Sequence, residues 1–134
     1  MFKKWTSLLA AAVILLALSG CARGINVFKE LGVGNKDIPS YEVSSEITDK
    51  NPPEILWSAV EAKDIDENQA KQIQADYINK KLKENGYKSI QIIVNVKNNQ
   101  YTAQYVQDEQ ALKNTVPGAP APQKYPAIIY QKKP

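Results

Sequence analysis

DENQAKQIQADYINKKLKENG, residues 66–86, carries the clearest structural instruction in this chain of 134 residues. Ala70, Ile73, Tyr77, Ile78 and Leu82 recur at helical spacing and gather on one apolar stripe. Lys71, Gln72, Asp76, Lys80, Lys81 and Lys83 fall largely on the other side. Asp66 can cap the start, and Gln69 stands three residues on, where a capping box answers back. Asn85-Gly86 supplies the stop, since glycine takes a left-handed conformation at no steric cost. Acids at the start and lysines at the end also suit the helix dipole. The lysines of the far face either touch anionic headgroups or stand in water, and a solvated face is the commoner role.

The next stretch, SIQIIVNVKNNQYTAQYV (residues 89–106), changes period from helix to strand. Ile90, Ile92, Val94 and Val96 share one face, and Asn98-Asn99 offers a two-residue turn that tolerates positive φ. Pairing Lys97 with Gln100 sets Val96 against Tyr101, Val94 against Ala103 and Ile92 against Tyr105, a single buried face. Gln91, Asn95, Thr102 and Gln104 form the opposite, wet face. Upstream, Tyr41, Val43 and Ile47 alternate with Glu42, Ser44 and Glu46 as in a half-exposed strand. Asn51-Pro52-Pro53 breaks the chain before a more buried strand, Ile55 to Val60, and the two strands predict an antiparallel hairpin. Downstream come a short helical turn (Asp108–Asn114), a stiff proline-rich connector (Pro117–Pro122) and strand character from Tyr125 to Tyr130.

The order is β-β-α-β-β with a possible fifth strand. One helix with one apolar stripe and one sheet with one apolar face must bury each other. The expected fold is therefore an α+β two-layer sandwich, one long helix packed on an antiparallel sheet. Residues 39–131 form this domain, enough chain to bury ~60–65% of its unfolded surface, and residues 132–134 are a polar tail. Residues 21–38 read as a tether. Within it Ile25, Val27, Phe28 and Leu31 make one amphipathic turn between the flexible points Arg23-Gly24 and Gly32–Asn35. That turn either lies in a membrane interface or docks on the domain, and docking fits a segment so short and so weakly basic. The layout is similar to small lipoprotein domains and to the helix-plus-strands arrangement of PepSY-type modules, and no function is carried over from that likeness.

The first twenty residues say where the protein lives. Lys3 and Lys4 precede an apolar run from Leu8 to Leu18, and Ser19-Gly20 leads into Cys21, the chain's single cysteine. The apolar run is shorter than the ~20 residues of a membrane span. Leu18-Ser19-Gly20-Cys21 resembles the lipobox of bacterial lipoproteins. The resemblance covers residues 1–21 and implies a signal peptide over 1–20, cleavage by signal peptidase II, and a diacylglyceryl group on the Cys21 sulfur, often with a further acyl chain on the new amine. Two or three chains hold firmly where one holds marginally, at ~0.8 kcal/mol per buried CH2. The implied location is a bacterial membrane, facing the extracytoplasmic side, on the outer membrane or the outer face of the plasma membrane.

Composition narrows the chemistry. Losing Lys3 and Lys4 takes the basic count from 17 to 15 against 14 acids, far from the basic footprint of a nucleic-acid binder. Histidine is absent, which removes the usual general base near neutral pH and the commonest metal ligand. With Cys21 lipidated no thiol remains for a disulfide, thiolate catalysis or a zinc site. Asp64, Asp66 and Glu67 match no calcium loop, and capping and the helix dipole explain Asp66 and Glu67. Glu42 and Glu46 share one strand face without the cleft a glycosidase pair requires. No cofactor and no metal site is expected. Among the seven tyrosines, Tyr125 and Tyr130, with Trp57 and Ile128, are candidates for a partner-binding surface, or else pack against the helix and the sheet edge.

These residues predict a membrane-anchored envelope lipoprotein, not an enzyme, whose small domain binds a protein or cell-wall partner. The alternatives are a carboxylate-dependent envelope hydrolase and a mobile-element lipoprotein that blocks uptake at the membrane. Cys21→Ser tests the anchor. The substitution should abolish acyl labelling and leave an uncleaved or released protein; a substituted protein still processed and still partitioning into membranes would contradict the lipobox.

Overall fold

The computed structural model describes residues 24–49 and 54–134, together with the backbone of Cys21 and Ala22. The signal segment, with Leu18, Ser19 and Gly20, and the Asn51-Pro52-Pro53 break lie outside the described residues. A two-stranded ladder of β1 (Cys21–Ala22) and β2 (Ile25–Asn26) leads into a short helix, α1 (Val27–Leu31). Then come β3 (Val43–Asp49), β4 (Ile55–Ala62), the long helix α2 (Glu67–Glu84), β5 (Ser89–Val96), β6 (Asn99–Val106), α3 (Glu109–Thr115) and β7 (Ala127–Lys133). Strands β3 to β7 lie side by side in chain order in one sheet, and α2 packs on it, so the fold is α+β as expected.

The fifth strand exists and runs on to Lys133. The last residues are therefore not a free tail, because Gln131, Lys132 and Lys133 pair with Thr102, Tyr101 and Gln100. The sheet is antiparallel except where β4 meets β5. That pair is parallel because α2 carries the chain back to the end from which β4 started.

Local chemistry explains the boundaries of α2. The Gln69 N–H donates to Asp66 Oδ1 at 2.8 Å and the Asp66 N–H donates to Gln69 Oε1 at 3.0 Å, a complete capping box. The other end differs from expectation. Asn85 closes the helix in extended backbone, at φ −144° and ψ 167°. The left-handed glycines among the described residues are Gly24, Gly32 and Gly118, not Gly86. The β5–β6 turn also differs. Val94 faces Tyr101 and Ile92 faces Ala103, so the turn residues are Lys97 and Asn98, with Lys97 at φ +54°. A two-residue shift of register keeps every side chain on its face, so both pairings bury the same residues.

The core lies between α2 and one sheet face. Ala70, Ile73, Tyr77, Ile78 and Leu82 meet Leu56, Val60, Ile90, Ile92, Val94 and Tyr105, all buried. Burying a side chain such as Ile73 or Ile78 contributes about 1.5–3 kcal/mol. Residues 25–38 belong to this unit: their apolar residues dock on the domain, as the composition of the segment favours, and they do not form a loose tether. Ile25, Val27, Phe28 and Leu31 are buried in the same cluster, and Val33, Ile38 and Tyr41 pack against it. The packed domain thus starts at Ile25, ahead of the Pro39 boundary predicted from patterning.

From α1 the chain crosses over α2 as a strap. The Gln72 Nε2 donates to the carbonyls of Gly34 and Lys36, both at 2.9 Å, before Tyr41 reaches Asp76. Ala75 and Asn79 lie off the apolar stripe and are buried too, on a helix that packs against α1 as well as against the sheet. On the far side of the sheet α3 covers one end, where Val106, Ala111, Leu112 and Ala127 form a second small cluster.

Two substitutions separate a wrapped helix from a one-sided one. Ile78→Ala should cost about 2–5 kcal/mol through lost transfer energy and a cavity. Ala75→Lys should be at least as costly, because it forces a charge beneath α1 and the strap, while Lys83→Ala should stay within about 0.5 kcal/mol. Chemical denaturation checks all three, and a near-neutral Ala75→Lys would contradict the strap.

Candidate functional site: a sheet clamped at both edges

Both edges of the sheet are tied to α2 by the same device. Ahead of β3, the Tyr41 hydroxyl donates to Asp76 Oδ2 at 2.7 Å, while Lys80 pairs with Asp76 at 2.9 Å and lies 6.0 Å from the Tyr41 ring centre. Within β3, Glu46 accepts a hydrogen bond from the Tyr77 hydroxyl, which also bonds the buried Ser58 hydroxyl. Lys81 stands 3.2 Å from Glu46 and 5.5 Å from the Tyr77 ring centre. On β7, Tyr130 donates to Glu67 Oε2 at 2.7 Å, Lys132 lies 3.7 Å from Glu67, and Lys71 stands 4.6 Å over the Tyr130 ring. Each clamp joins a phenol, a carboxylate and a lysine.

The electrostatics follow from these contacts. The hydrogen bond from Tyr77 holds the Glu46 carboxyl below its ordinary value near 4.5, with Lys81 adding to the effect and burial opposing it. Burial, then the bond to Glu67, pushes the Tyr130 phenol well above its ordinary 10. Tyr41 is raised in the same way by burial and by Asp76. Phenols held protonated donate hydrogen bonds and do not act as bases.

The four aromatic and apolar candidates do not form one surface. Tyr125 packs into the α3 cluster with its hydroxyl buried and without a partner among the described residues. Ile128 and Tyr130 pack toward the helix layer at one edge of the sheet. Trp57 lies on the outer face, near the opposite edge and beyond the end that α3 covers. The acids likewise disperse. Asp66 caps α2, Glu67 takes Tyr130, and Glu46 turns to the helix. Glu42 and Glu61 line an open groove of about 560 Å3 with Tyr41, Val43 and Lys63, but Glu61 accepts the Asn95 amide at 2.8 Å.

What pattern reading missed is a partly exposed apolar strip on the outer face. Ile47 is 62% exposed and stands beside Trp57, and Ala59 stands beside Ile93, both pairs beyond the end that α3 covers. The register of β3 shifts between Val43 and Ser45, which puts Val43 and Ile47 on opposite faces. The Ser44 hydroxyl donates to the Ala59 carbonyl at 3.0 Å at this irregularity, so the paired serines Ser44-Ser45 were the available signal. The face expected to be wet is also less so at its other end. Gln104 is 2% exposed, bonded to Gln91 and Ser89.

The clamps predict a two-sided pH profile. Glu46, with its carboxyl depressed, contributes stability that is present above about pH 4.5 and lost as pH falls through its lower folded value. The raised phenols contribute stability that is present below pH 10 and lost as pH climbs above it. Thermal unfolding against pH should show both declines. Glu46→Gln should blunt the acid one and Tyr130→Phe the alkaline one, each at a cost of about 1 kcal/mol at neutral pH. Unchanged profiles in both variants would remove the clamps from the account.

Comparison of the chain with known protein families, with curated proteins and with solved structures finds no match.

Proposed function

We propose that the protein is an envelope lipoprotein, held on a membrane through lipid on Cys21, whose domain binds a protein or cell-wall partner and performs no catalysis. The anchor follows from Leu18-Ser19-Gly20-Cys21 behind its charged and apolar segments. The binding role is carried by one observation, the open β3 edge. Strand β3 ends the sheet, all seven of its residues are exposed, and Ile47 extends from it next to Trp57.

Edge strands are normally blunted by lysine, proline or a cover, because unpaired backbone groups accept another strand. Residues 43–49 contain neither lysine nor proline, and their two acids are Glu46, turned to α2, and Asp49. A partner strand laid along this edge would gain backbone hydrogen bonds and bury Ile47, a gain of up to about 1.5–3 kcal/mol for a fully exposed side chain. The final strand, which carries the candidates Ile128 and Tyr130, suits this role less, since Tyr130 and Lys132 are engaged with Glu67. Carboxylate hydrolysis needs two acids about 5–9 Å apart across a cleft. The groove at Glu42 is open, and Glu61 is committed to Asn95.

The test is crosslinking and recovery of partners from detergent-solubilised membranes, with the anchored protein as bait. Ile47→Lys should cut recovery tenfold or more, equivalent to at least about 1.4 kcal/mol. It should leave unfolding within about 0.5 kcal/mol of the parent, because this side chain is already mostly in water. Undiminished recovery, or turnover of a cell-wall glycan that Glu42→Gln abolishes, would overturn the reading.

A further inference from the structure

The position of Cys21 relative to the two layers sets how the domain stands on its membrane. The Cys21 backbone pairs with Asn26, and Ala22 pairs with Ile25. Asn26 is itself fixed, since its Oδ1 accepts the Lys29 N–H at 3.2 Å as the cap of α1. Val27, the next residue, is completely buried. Antiparallel partners have Cα atoms about 4.5–5.5 Å apart, so the attachment residue sits that close to the packed core. Five residues running freely would reach about 17 Å. This anchor has no such spacer.

The attachment point also lies on one side of the sheet. Strand β1 packs beside α2, and α1 packs against α2 and β7. The strap over α2 completes the same layer through Gly34 and Lys36. The strip at Ile47 and Trp57 lies on the opposite face of the sheet. At least one helix diameter, about 10 Å, separates the two surfaces.

We infer that the layer of α1, α2 and the strap rests on the bilayer, and that the outer sheet face points away from it. The inference rests on the proposed lipidation of Cys21. Charge does not drive the orientation. The exposed lysines of this layer, Lys29, Lys36, Lys80 and Lys83, are matched by Glu30, Asp37, Asp76 and Glu84. A polybasic face would gain about 1 kcal/mol per residue from anionic lipid, and a balanced face gains little. The occupant is therefore a bilayer surface of any headgroup charge, brought to this layer by the attachment point. A partner then approaches the outer face and the β3 edge from the side remote from the membrane.

The experiment uses the full-length protein processed in bacteria, purified in detergent and placed in phosphatidylcholine vesicles. With Cys21 acylated, a single added cysteine takes a fluorescent label. Lys36→Cys and Lys83→Cys report the helix layer, and Ile47→Cys and Thr102→Cys report the outer face. A headgroup-attached acceptor should quench the first pair clearly more than the second. The order should persist with anionic lipid present and at high salt. Equal quenching at all four sites, or stronger quenching at positions 47 and 102, would overturn the orientation. An order that collapses at high salt would overturn attachment as its cause. Intact mass separates the two levels of the argument. An unacylated Cys21 overturns the lipoprotein reading itself, whereas acylation with equal quenching overturns only the orientation.

Discussion

A single buried amide fixes where the long helix can sit. Gln74 is completely buried, and its Nε2 donates to the backbone carbonyls of Ile92 at 3.1 Å and Tyr101 at 3.0 Å. These carbonyls belong to β5 and β6, so one side chain pins α2 to the centre of the sheet. Its Oε1 finds no partner among the described residues. Burying a polar group unpaired costs about 1–3 kcal/mol, so sliding or rotating α2 would add that penalty to the lost apolar packing. Ile73, Tyr77 and Ile78 are buried in the same cluster, and Gln74 selects one arrangement among those that apolar packing allows.

Once α2 is placed, the rest follows outward. The helix presents Asp76, Tyr77 and Lys81 toward β3 and its approach, and Glu67 and Lys71 toward β7. Both margins of the sheet are held by polar clamps, which rigidify them without covering their outer backbone. The helix layer closes under α1 and the strap, and α3 closes one end of the other face. Open surface is left along the β3 edge, with Ile47, Trp57 and Ile93 beside it. A rigid, partly apolar edge suits strand addition because little order has to be imposed on it when a partner arrives.

The parts legible in sequence were those governed by local period and local capping. The stripe of α2 and the Asp66–Gln69 box are of this kind, and so are the alternating faces of β5 and β6. Their register was not legible, because shifting the turn from Asn98-Asn99 to Lys97-Asn98 leaves every face unchanged. The strap was hidden for a different reason. Gly32 to Asn35 has the composition of a linker, and only the tertiary bonds from Gln72 show that it crosses a helix. The parallel β4–β5 pair arises from the crossover and has no local signature. Candidate site residues fared least well, since aromatic type does not reveal direction. Tyr130 and Trp57 ended on opposite faces, while Ile47 was displaced to the outside by the irregularity at Ser44.

The most direct measurement is amide hydrogen exchange on the acylated protein, first alone and then in its native envelope membranes. The account predicts that amides of residues 43–49 directed away from β4 exchange quickly in the isolated protein. They should become protected in the envelope, with Ile47 at the centre of the change and residues 127–133 unaltered. Equal exchange at β3 in both settings, or new protection confined to β7, would contradict it.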